Sequence, residues 1–371
     1  MGFSISRRQT RRLTVGGVTV GASAPIRVQS MTNTKTHDVA ATVAQIRRLE
    51  AAGCEIVRVA VPDMPAAEAI SAIKAQTEIP LIADIHFDHR LAIAAARAGA
   101  DGLRINPGNI GGDEKVRAVV DIAKDRGLPI RIGVNAGSLE KDLLDEDGAA
   151  TAQAMVTSAL RHVALLERHG FDQIKVSLKA SDVPRTLEAY RLMAETSDLP
   201  LHVGVTEAGT LISGCVKSAL GIGMLLAEGI GDTIRVSLTR DPVEEVRVAY
   251  EILRSLGLRQ RGPEIIACPT CGRCDIDLFK VVEAVEQEVL DRKLPIKLAV
   301  MGCVVNGPGE AREADIGIAG GAGLGILFRK GKVVRKVPQA ELVDALLEEI
   351  DTLEAELNAT TSTHTDTNGD R

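Results

Sequence analysis

Short β-forming runs alternate with longer amphipathic stretches over the first 260 residues. The stretches between the runs carry apolar residues at helical spacing and several of them end in Gly. Strand and helix repeated eight times predict a parallel (β/α)8 barrel, the TIM-barrel architecture. The eight runs are IRVQSMTN from Ile26, IVRVAV from Ile56, LIADIHF from Leu81, GLRINPGN from Gly102, PIRIGVNAG from Pro129, QIKVSLKAS from Gln173, LPLHVGVTEAG from Leu199 and TIRVSLT from Thr233.

An open, doubly wound sheet is the alternative architecture. It would place a Gly-rich phosphate-binding turn directly after an early strand and before a helix. The early Gly-rich stretch, GGVTVGASAP from Gly16, precedes no helical pattern. The barrel is therefore favoured.

Alternate positions of the predicted strands differ in polarity. One set is apolar and suits packing against outer helices, whereas the other set is polar and would point into a barrel. Buried cations without counter-charge are costly, and the planar guanidinium group matches phosphate oxygens. The interior is therefore predicted to bind an anion, with outward pairing to helix carboxylates as the alternative. The polar set is Arg27, Gln29, Arg58, Asp84, His86, Arg104, Asn106, Arg131, Asn135, Lys175, Ser177, Lys179, Arg235 and Ser237.

Three residues at strand ends are candidates for acid–base chemistry. Asp84 and His86 lie in ADIHFDH, and Glu207 lies in VTEAGT. Barrel enzymes place such groups where strands end, although a single His or Glu at these positions is often structural.

Charge and composition exclude two classes of partner. The net charge is −6 and charges of both signs are interspersed, so no basic face indicates nucleic acid. The chain contains no apolar segment of about 18 residues and no signal-peptide pattern, which predicts a cytoplasmic protein without a membrane partner. In a reducing cytoplasm, clustered cysteines indicate metal or redox chemistry more often than disulfides.

The alternation of strands and helices stops near Gly262 and Pro263. A smaller unit of mixed helical and strand-like segments follows and contains the clustered cysteines. We therefore predict a barrel domain over residues 1–260, a C-terminal α/β domain over 261–356, and a polar disordered tail over 357–371.

The cysteines of ACPTCGRCDID, which are Cys268, Cys271 and Cys274, precede Cys303 in MGCVVNGPGEA. A run of Cys-x2-Cys-x2-Cys with a distant fourth cysteine is typical of iron–sulfur ligation. A zinc site is the alternative, but structural zinc usually takes paired knuckles or a histidine. Thiols without metal are a further alternative.

Several motifs together resemble the bacterial 4-hydroxy-3-methylbut-2-enyl diphosphate synthase family of non-mevalonate isoprenoid biosynthesis, from about Arg7 to Glu356. The resemblance implies a barrel, a C-terminal iron–sulfur domain with one 4Fe-4S cluster per chain, and a reaction. That reaction is the two-electron reductive opening of 2-C-methyl-D-erythritol 2,4-cyclodiphosphate. The motifs are CPTCGR, MGCVVNGPGEA, VQSMTNT, DIHF, LRINPGN, RIGVN, LKASD and VTEAG.

The resemblance also implies roles for individual residues. The cluster ligands would be Cys268, Cys271, Cys303 and Glu310, and the candidate acid–base groups are Glu207, Asp84 and His86. The substrate-binding residues implied are Arg58, Arg104, Asn106, Arg131, Asn135, Lys179, Arg235 and Ser237.

Cys274 departs from the family pattern and competes with Glu310 as the fourth ligand. Three thiolates and an exchangeable carboxylate would leave one iron accessible to substrate, whereas four thiolates suit electron transfer. We therefore favour Glu310.

The resemblance implies a homodimer, in which the cluster domain lies at the barrel mouth of the neighbouring chain, and flavodoxin or ferredoxin as electron donor. Two hypotheses of other classes remain. One is a pterin- or corrinoid-type methyl-transfer barrel with an electron-transfer cluster, and the other is a non-catalytic, zinc-stapled phosphate-binding protein.

Overall fold

A computed structural model describes residues 4–145, 148–290, 292–303, 309 and 311–365, with side chains described as far as Leu357. The chain divides into two compact units, Met1–Arg259 and Gln260–Arg371. The division lies next to the boundary that the sequence predicts at residue 260.

The first unit begins with a β-hairpin of β1 (Leu13–Val15) and β2 (Val18–Val20). Its two-residue turn is Gly-Gly, and both glycines have the positive φ that tight hairpin turns require. The apolar residues of the hairpin are buried against Ile56 and Ile82, near the starts of two barrel strands. The Gly-rich stretch that the sequence analysis rejected as a phosphate turn therefore covers the N-terminal end of the barrel.

Eight parallel strands follow, in the order β8-β7-β6-β5-β4-β3-β10-β9. A parallel bridge between Val176 and Leu201 closes the ring, and the Tyr190 hydroxyl donates a hydrogen bond to the His202 carbonyl at the same seam. The predicted barrel is confirmed. Its strands are β3 (Arg27–Met31), β4 (Ile56–Ala60), β5 (Leu81–Asp84), β6 (Gly102–Ile105), β7 (Ile130–Asn135), β8 (Ile174–Lys179), β9 (His202–Val203) and β10 (Thr233–Ile234).

Helices follow each barrel strand in turn. They are α1 (Val39–Ala52), α2 (Met64–Lys74), α3 (His89–Arg97), the short α4 (Pro107–Ile110), α5 (Asp113–Arg126), α6 (Ala152–Arg168), α7 (Val183–Thr196), α8 (Leu211–Ala227) and α9 (Pro242–Ser255). Five of them begin after an aspartate whose carboxylate accepts a first-turn backbone N–H, which fixes where each helix starts. These aspartates are Asp38, Asp63, Asp88, Asp182 and Asp241.

The main core lies between the strands and the helices. The apolar set of strand positions is buried there, for example at Val57, Leu103 and Ile132. The predicted outward direction of this set is therefore confirmed. Most of the polar set lies inside the barrel, whereas Arg27 forms an ion pair with Glu55 and donates to the Thr19 carbonyl of the hairpin, and so has a counter-charge.

The second unit contains a five-stranded sheet in the order β11-β12-β13-β14-β15. The first three strands are parallel and the last two pairings are antiparallel. Sequence reasoning missed β11, a short run between a linker and the cysteines. The strands are β11 (Glu264–Ala267), β12 (Lys297–Met301), β13 (Ile316–Ala319), β14 (Leu324–Arg329) and β15 (Lys332–Pro338).

Two helices, α10 (Leu278–Val289) and α11 (Leu342–Thr365), pack on one face of this sheet. The helix α11 continues into the segment predicted to be disordered, so that prediction is wrong for residues 357–365. No Gly or Pro lies between the start of α11 and Gly369. A helix that is anchored by the buried Leu346 and Ile350 can therefore propagate through the polar residues that follow. Residues 366–371 lie outside the described part of the chain.

Candidate active site

The carboxyl ends of the barrel strands enclose a cavity of about 250 Å³. This is the end at which the loops of parallel barrels build active sites. Met31, Ser177 and Thr206 line the cavity together with nine residues that the sequence analysis assigned to catalysis or substrate binding. The nine are Arg58, Asp84, His86, Arg104, Arg131, Asn135, Lys179, Arg235 and Ser237.

Asp84 is the carboxylate among the residues that line this cavity. It is buried, with Oδ1 3.0 Å from Nη1 of Arg104 and Oδ2 3.5 Å from Nε of Arg58. Burial would raise its pKa, but the charges of Arg58 and Arg104 and a hydrogen bond from His86 outweigh burial and hold the pKa well below its ordinary value. Asp84 therefore stays ionised and positions two guanidinium groups, a role different from that of a proton donor.

Arg58 has a second neighbour that the sequence analysis did not select. The Met31 sulfur lies 3.2 Å from Nε and 3.0 Å from Nη2 of Arg58. Burial lowers the pKa of Arg58 to about 10 against the opposing charge of Asp84. Met31 therefore shapes the wall of the cavity without neutralising the cation, and its weak acceptor leaves the guanidinium able to bind an anion.

Arg131 and Lys179 are buried cations that form no ion pair with a carboxylate in the described part of the chain. Burial lowers the pKa of both well below ordinary values, and Arg131 and Arg235 lower that of Lys179 further. Nε and Nη1 of Arg131 are buried and have no hydrogen-bond partner among the described residues. Since arginine keeps its proton in proteins, an anion is the ligand that would relieve this arrangement.

A glycine makes room for Lys179. A Cβ atom at Gly204 would lie 2.7 Å from Nζ of Lys179 and 2.4 Å from the Arg235 carbonyl oxygen. The backbone directly after β9 can therefore pass close to the Lys179 amine and to the Arg235 backbone only because residue 204 has no side chain.

Arg235 is held from outside the cavity by a carboxylate that the sequence analysis missed. Glu245 of α9 is buried, lies 3.5 Å from Nε of Arg235, and accepts hydrogen bonds from the Ser30 hydroxyl and the Leu238 amide. In the sequence, Glu245 is one of two acidic residues in the first turn of a helix, where acids are common for another reason. Only the packing of α9 against the barrel shows that Glu245, and not Glu244, contacts Arg235.

Three polar side chains lie inside the barrel without lining the cavity. Lys175 Nζ, His202 Nε2 and both amide atoms of Gln29 are buried and lack partners among the described residues. Burial and the charge of Arg131 lower the pKa of Lys175 to about 7. Polar side chains therefore extend through the barrel interior, and several of their buried atoms have no hydrogen-bond partner among the described residues.

Two selected residues do not line the cavity. The Asn106 side chain accepts the Gly108 backbone N–H at 3.2 Å and caps α4, which gives it a structural task. Glu207 is exposed in the loop after β9 and has a φ of 51°, a left-handed conformation that costs energy for a residue with a side chain. His86, by contrast, lies at the cavity with Nε2 3.2 Å from Nη1 of Arg104.

The clustered cysteines lie in loops that follow the parallel ends of β11 and β12, and none of them forms a disulfide among the described residues. The Cys268 sulfur accepts the backbone N–H of Gly302 at 3.2 Å. A Cβ at Gly302 would lie 2.6 Å from the Cys274 sulfur and 3.4 Å from that of Cys268. Glycine at 302 therefore leaves space for thiols beside Cys303.

These residues fit an iron–sulfur cluster in donor chemistry. Soft thiolates with a backbone N–H directed at sulfur are what such clusters bind. Cys271 is exposed, whereas the Cys274 thiol donates to the Ile276 carbonyl at 3.3 Å. In the described ranges, which leave out 304–308 and 310, no three His, Cys, Asp or Glu side chains converge on one point as metal ligands. Glu310 lies outside the described residues.

Within the same ranges, no helix is long and apolar enough to cross a bilayer.

A TIM barrel with a cation-rich mouth, followed by a unit with clustered thiols, defines an oxidoreductase that acts on an anion. The chain matches the model of the GcpE TIM-barrel domain over residues 10–250 and that of the GcpE protein C-terminal domain over residues 264–352. It belongs to the GcpE family, which is the 4-hydroxy-3-methylbut-2-en-1-yl diphosphate synthase family.

Curated relatives with the name 4-hydroxy-3-methylbut-2-en-1-yl diphosphate synthase (flavodoxin) match nearly the whole chain. The protein of Geobacter sulfurreducens is 62% identical over 94% of this chain and 99% of its own length. Those of Desulfotalea psychrophila and Geobacillus kaustophilus are 61% and 60% identical over 95% and 96% of this chain, and 98% and 95% of their own lengths. The predicted family, barrel fold and iron–sulfur oxidoreductase class are confirmed, and the methyl-transfer alternative is not favoured.

Replacement of the buried Lys175 is expected to change how stability depends on pH. Because its pKa is about 7 in the folded chain and about 10.4 when unfolded, the unfolded state binds more protons between these values and stability rises with pH there. Below pH 7 the full cost of the buried ammonium is present. Lys175→Met should therefore raise the free energy of unfolding by on the order of 3 kcal/mol at pH 6 and much less at pH 10.

Urea unfolding at the two pH values measures this difference. Lys141→Met, which replaces an exposed lysine of the same unit, is the matched control and should change stability little at either pH. Equal effects of Lys175→Met at both pH values would show that Lys175 is protonated in the folded protein throughout.

Proposed function

We propose that this chain converts 2-C-methyl-D-erythritol 2,4-cyclodiphosphate into 4-hydroxy-3-methylbut-2-enyl diphosphate in the bacterial cytoplasm. The reaction is a reductive ring opening with loss of water that takes up two electrons. The observation that carries the proposal is the excess of buried cations at the barrel mouth, where Arg131 and Lys179 form no ion pair with the residues that the structure describes. A cyclic diphosphate supplies that charge. The relatives carry the name of the product's synthase.

The cations have distinct parts in binding. Arg58 and Arg104 are preorganised by Asp84, so they present their guanidinium groups without reorganisation when the anion binds. Arg131, Lys179 and Arg235 surround the remaining space, with Asn135 and Ser237 as neutral hydrogen-bonding groups. Bound phosphate oxygens would favour the protonated form of Lys179, because an adjacent anion stabilises the charged amine.

Protons must enter the reaction as well as electrons, and Asp84 is a poor source because its pKa is well below the ordinary value. Glu207 is our candidate proton donor or relay. Its strained backbone and exposure in the loop after β9 support a functional role, since strain that packing does not require is concentrated at functional sites. His86, which contacts Arg104 at the cavity, is the second candidate.

The C-terminal unit would hold one 4Fe-4S cluster through Cys268, Cys271 and Cys303, with Glu310 as the fourth ligand. When bound, such a cluster supplies electrons singly and an iron that can act as a Lewis acid. Cys274, whose thiol donates to the Ile276 carbonyl, is left out of this ligand set because a fourth thiolate would leave no exchangeable position on the cluster. The electron donor would be a flavodoxin, as the relatives' names state for those proteins, or a ferredoxin.

We also propose a homodimer that uses one face of α8. Four apolar residues at intervals of four positions are exposed on this helix. The last of them, Met224, lines a groove of about 520 Å³ between α8 and α9. A second copy of the same face would cover it in a two-fold symmetric interface. The exposed residues are Ile212 (80%), Val216 (54%), Leu220 (49%) and Met224 (41%).

Arg131→Ala is expected to weaken binding of the cyclic diphosphate by on the order of tenfold or more, because it removes a guanidinium aimed at phosphate. It should not lower stability, since Arg131 is an uncompensated cation. Calorimetric titration with the cyclic diphosphate measures the first effect and urea unfolding the second. Arg117→Ala, on the exposed face of α5, is the control. Unchanged affinity would remove Arg131 from the binding site.

Protein purified anaerobically after intact iron–sulfur assembly should be brown and hold about four irons per chain. Cys274→Ser should keep both the absorption spectrum and most activity, whereas Glu310→Ala should leave an oxygen-sensitive cluster and slow turnover. Iron analysis and electron paramagnetic resonance measure the outcome. One tightly bound zinc instead of iron would refute the mechanism. A Cys274→Ser protein without cluster, together with a normal Glu310→Ala protein, would transfer the fourth-ligand role to Cys274.

Val216→Asp with Leu220→Asp should convert the dimer into monomers, because the interface would have to bury two carboxylates. Sedimentation equilibrium measures the mass, and Lys217→Asp, on the same helix but partly buried beside Ser181, is the charge-matched control. A dimer that survives the double replacement would place the interface elsewhere.

A further inference from the structure

The strand β15 forms one edge of the described C-terminal sheet. Five consecutive residues, 332–336, are exposed, so both faces of the strand are uncovered. Two of them are valines, Val333 at 55% and Val334 at 51% exposure. An uncovered edge with apolar side chains is a surface prepared to receive another molecule.

The same edge is strongly basic in a chain whose net charge is −6. The segment RKGKVVRK, residues 329–336, holds five cations and no carboxylate. Arg329 and Arg335 are paired with glutamates of α11. Lys330, Lys332 and Lys336 are exposed and form no ion pair with residues that the structure describes. We call these three lysines together with Val333 and Val334 the basic edge.

Protection against aggregation explains only part of this arrangement. Edge strands often carry lysine because a charge opposes pairing with a second edge. That purpose is served by a single charge of either sign, and exposed valines act against it. Apolar residues between cations of one sign are instead typical of a docking surface for an acidic protein, in which charge steers the encounter and apolar contact retains it.

The register of the sheet connects the basic edge with the cysteines. Lys336 is paired with Ile326, Ile326 with Ala319, and Ala319 with Met301, so the four residues form one row across four strands. Met301 precedes Cys303 by two residues, and the Cys268 amide donates to the carbonyl of Val300. Three strand spacings separate Lys336 from Met301, about 14 Å.

Residues of this row also share a packed cluster with a thiol. Met301, Ala319 and Phe328 are buried together, and Cys268 and Ile326 pack against them. Since residues opposite each other in a sheet share a face, Lys336 and Val333 lie on the face that contacts Cys268. Cys268 also packs against the helix-covered core on the other face. A protein bound at the basic edge would therefore lie beside one of the two packed faces that Cys268 contacts, about three strand spacings from Met301.

We propose that the basic edge is the docking site of the electron-donor protein, a one-electron carrier with an acidic face around its redox group. The inference rests on the proposed function, which requires two electrons per turnover. Each docking event would oxidise the carrier by one electron, which a cluster held by Cys268, Cys271 and Cys303 would accept, so two events would supply the two electrons of one turnover. The three lysines would attract the acidic carrier, and the two valines would make the apolar contact at the centre of the interface.

The test uses cluster-loaded protein with the three lysines reversed, K330E/K332E/K336E. Turnover is measured with a flavodoxin kept reduced by its reductase, and separately with dithionite-reduced methyl viologen, a small reductant that needs no docking surface. The variant should show a KM for flavodoxin raised on the order of tenfold or more at low salt. Its turnover with viologen and its iron content should equal those of the parent protein.

The matched control is R47E/R117E/R126E, which changes the net charge equally on exposed faces of α1 and α5. It should leave the KM for flavodoxin within about twofold of the parent, because long-range charge is screened beyond about 10 Å. At about 1 M salt, where the Debye length is about 3 Å, the difference between K330E/K332E/K336E and the parent should disappear.

Three results would overturn the proposal. They are an unchanged KM for flavodoxin in K330E/K332E/K336E, an equal rise in the control, or a change of oligomeric state that would assign the edge to a second copy of this chain. If the parent itself turns over with neither reductant, the proposed function fails. That outcome is distinct from a failure of docking, in which viologen supports turnover in every variant.

Discussion

The site depends on one buried carboxylate. Asp84 lies between Arg58 and Arg104, and without it the barrel mouth would hold only cations. Its charge is secured by the same arginines that it orients, because they keep its pKa low despite burial. One negative charge is enough to order two guanidinium groups but too little to neutralise the cavity. The remaining positive charge is what an anion bound at the barrel mouth would neutralise.

The barrel strands carry stabilising apolar side chains on their outer face and cavity-lining polar side chains on their inner face. The outward side chains of β3–β10 pack into the main apolar core with the helices, and this core stabilises the barrel. The inward side chains, including Lys175 and the unpartnered amide of Gln29, reduce stability. Alternation along a strand allows both within a few residues, because successive side chains point to opposite faces.

The C-terminal unit also places different groups at different parts of one sheet. Its thiols occupy loops after β11 and β12, and Gly302 leaves the space in which the sulfurs of Cys268 and Cys274 lie. The opposite edge of the sheet is basic and uncovered. A sheet of five strands is narrow enough that a partner on one edge lies within a few strand spacings of a group bound near the other. This geometry fits a domain whose task is to receive electrons.

The sequence by itself determined the repeat of strands and helices, the inward set of cations and the cysteine motif, because these depend on periodicity and local spacing. Nine of the selected barrel residues do line the cavity, since a polar residue at an inward position near a strand end has few other places to lie. The tertiary structure alone decided the rest. It made Asp84 a counter-ion, used Asn106 as a helix cap, and brought Glu245 from α9 and Met31 from β3 against two of the arginines. The Asn106 cap is a local contact with Gly108, two residues away. The roles of Asp84, Glu245 and Met31 depend on contacts between different elements of the barrel, which the fold sets and local sequence does not encode.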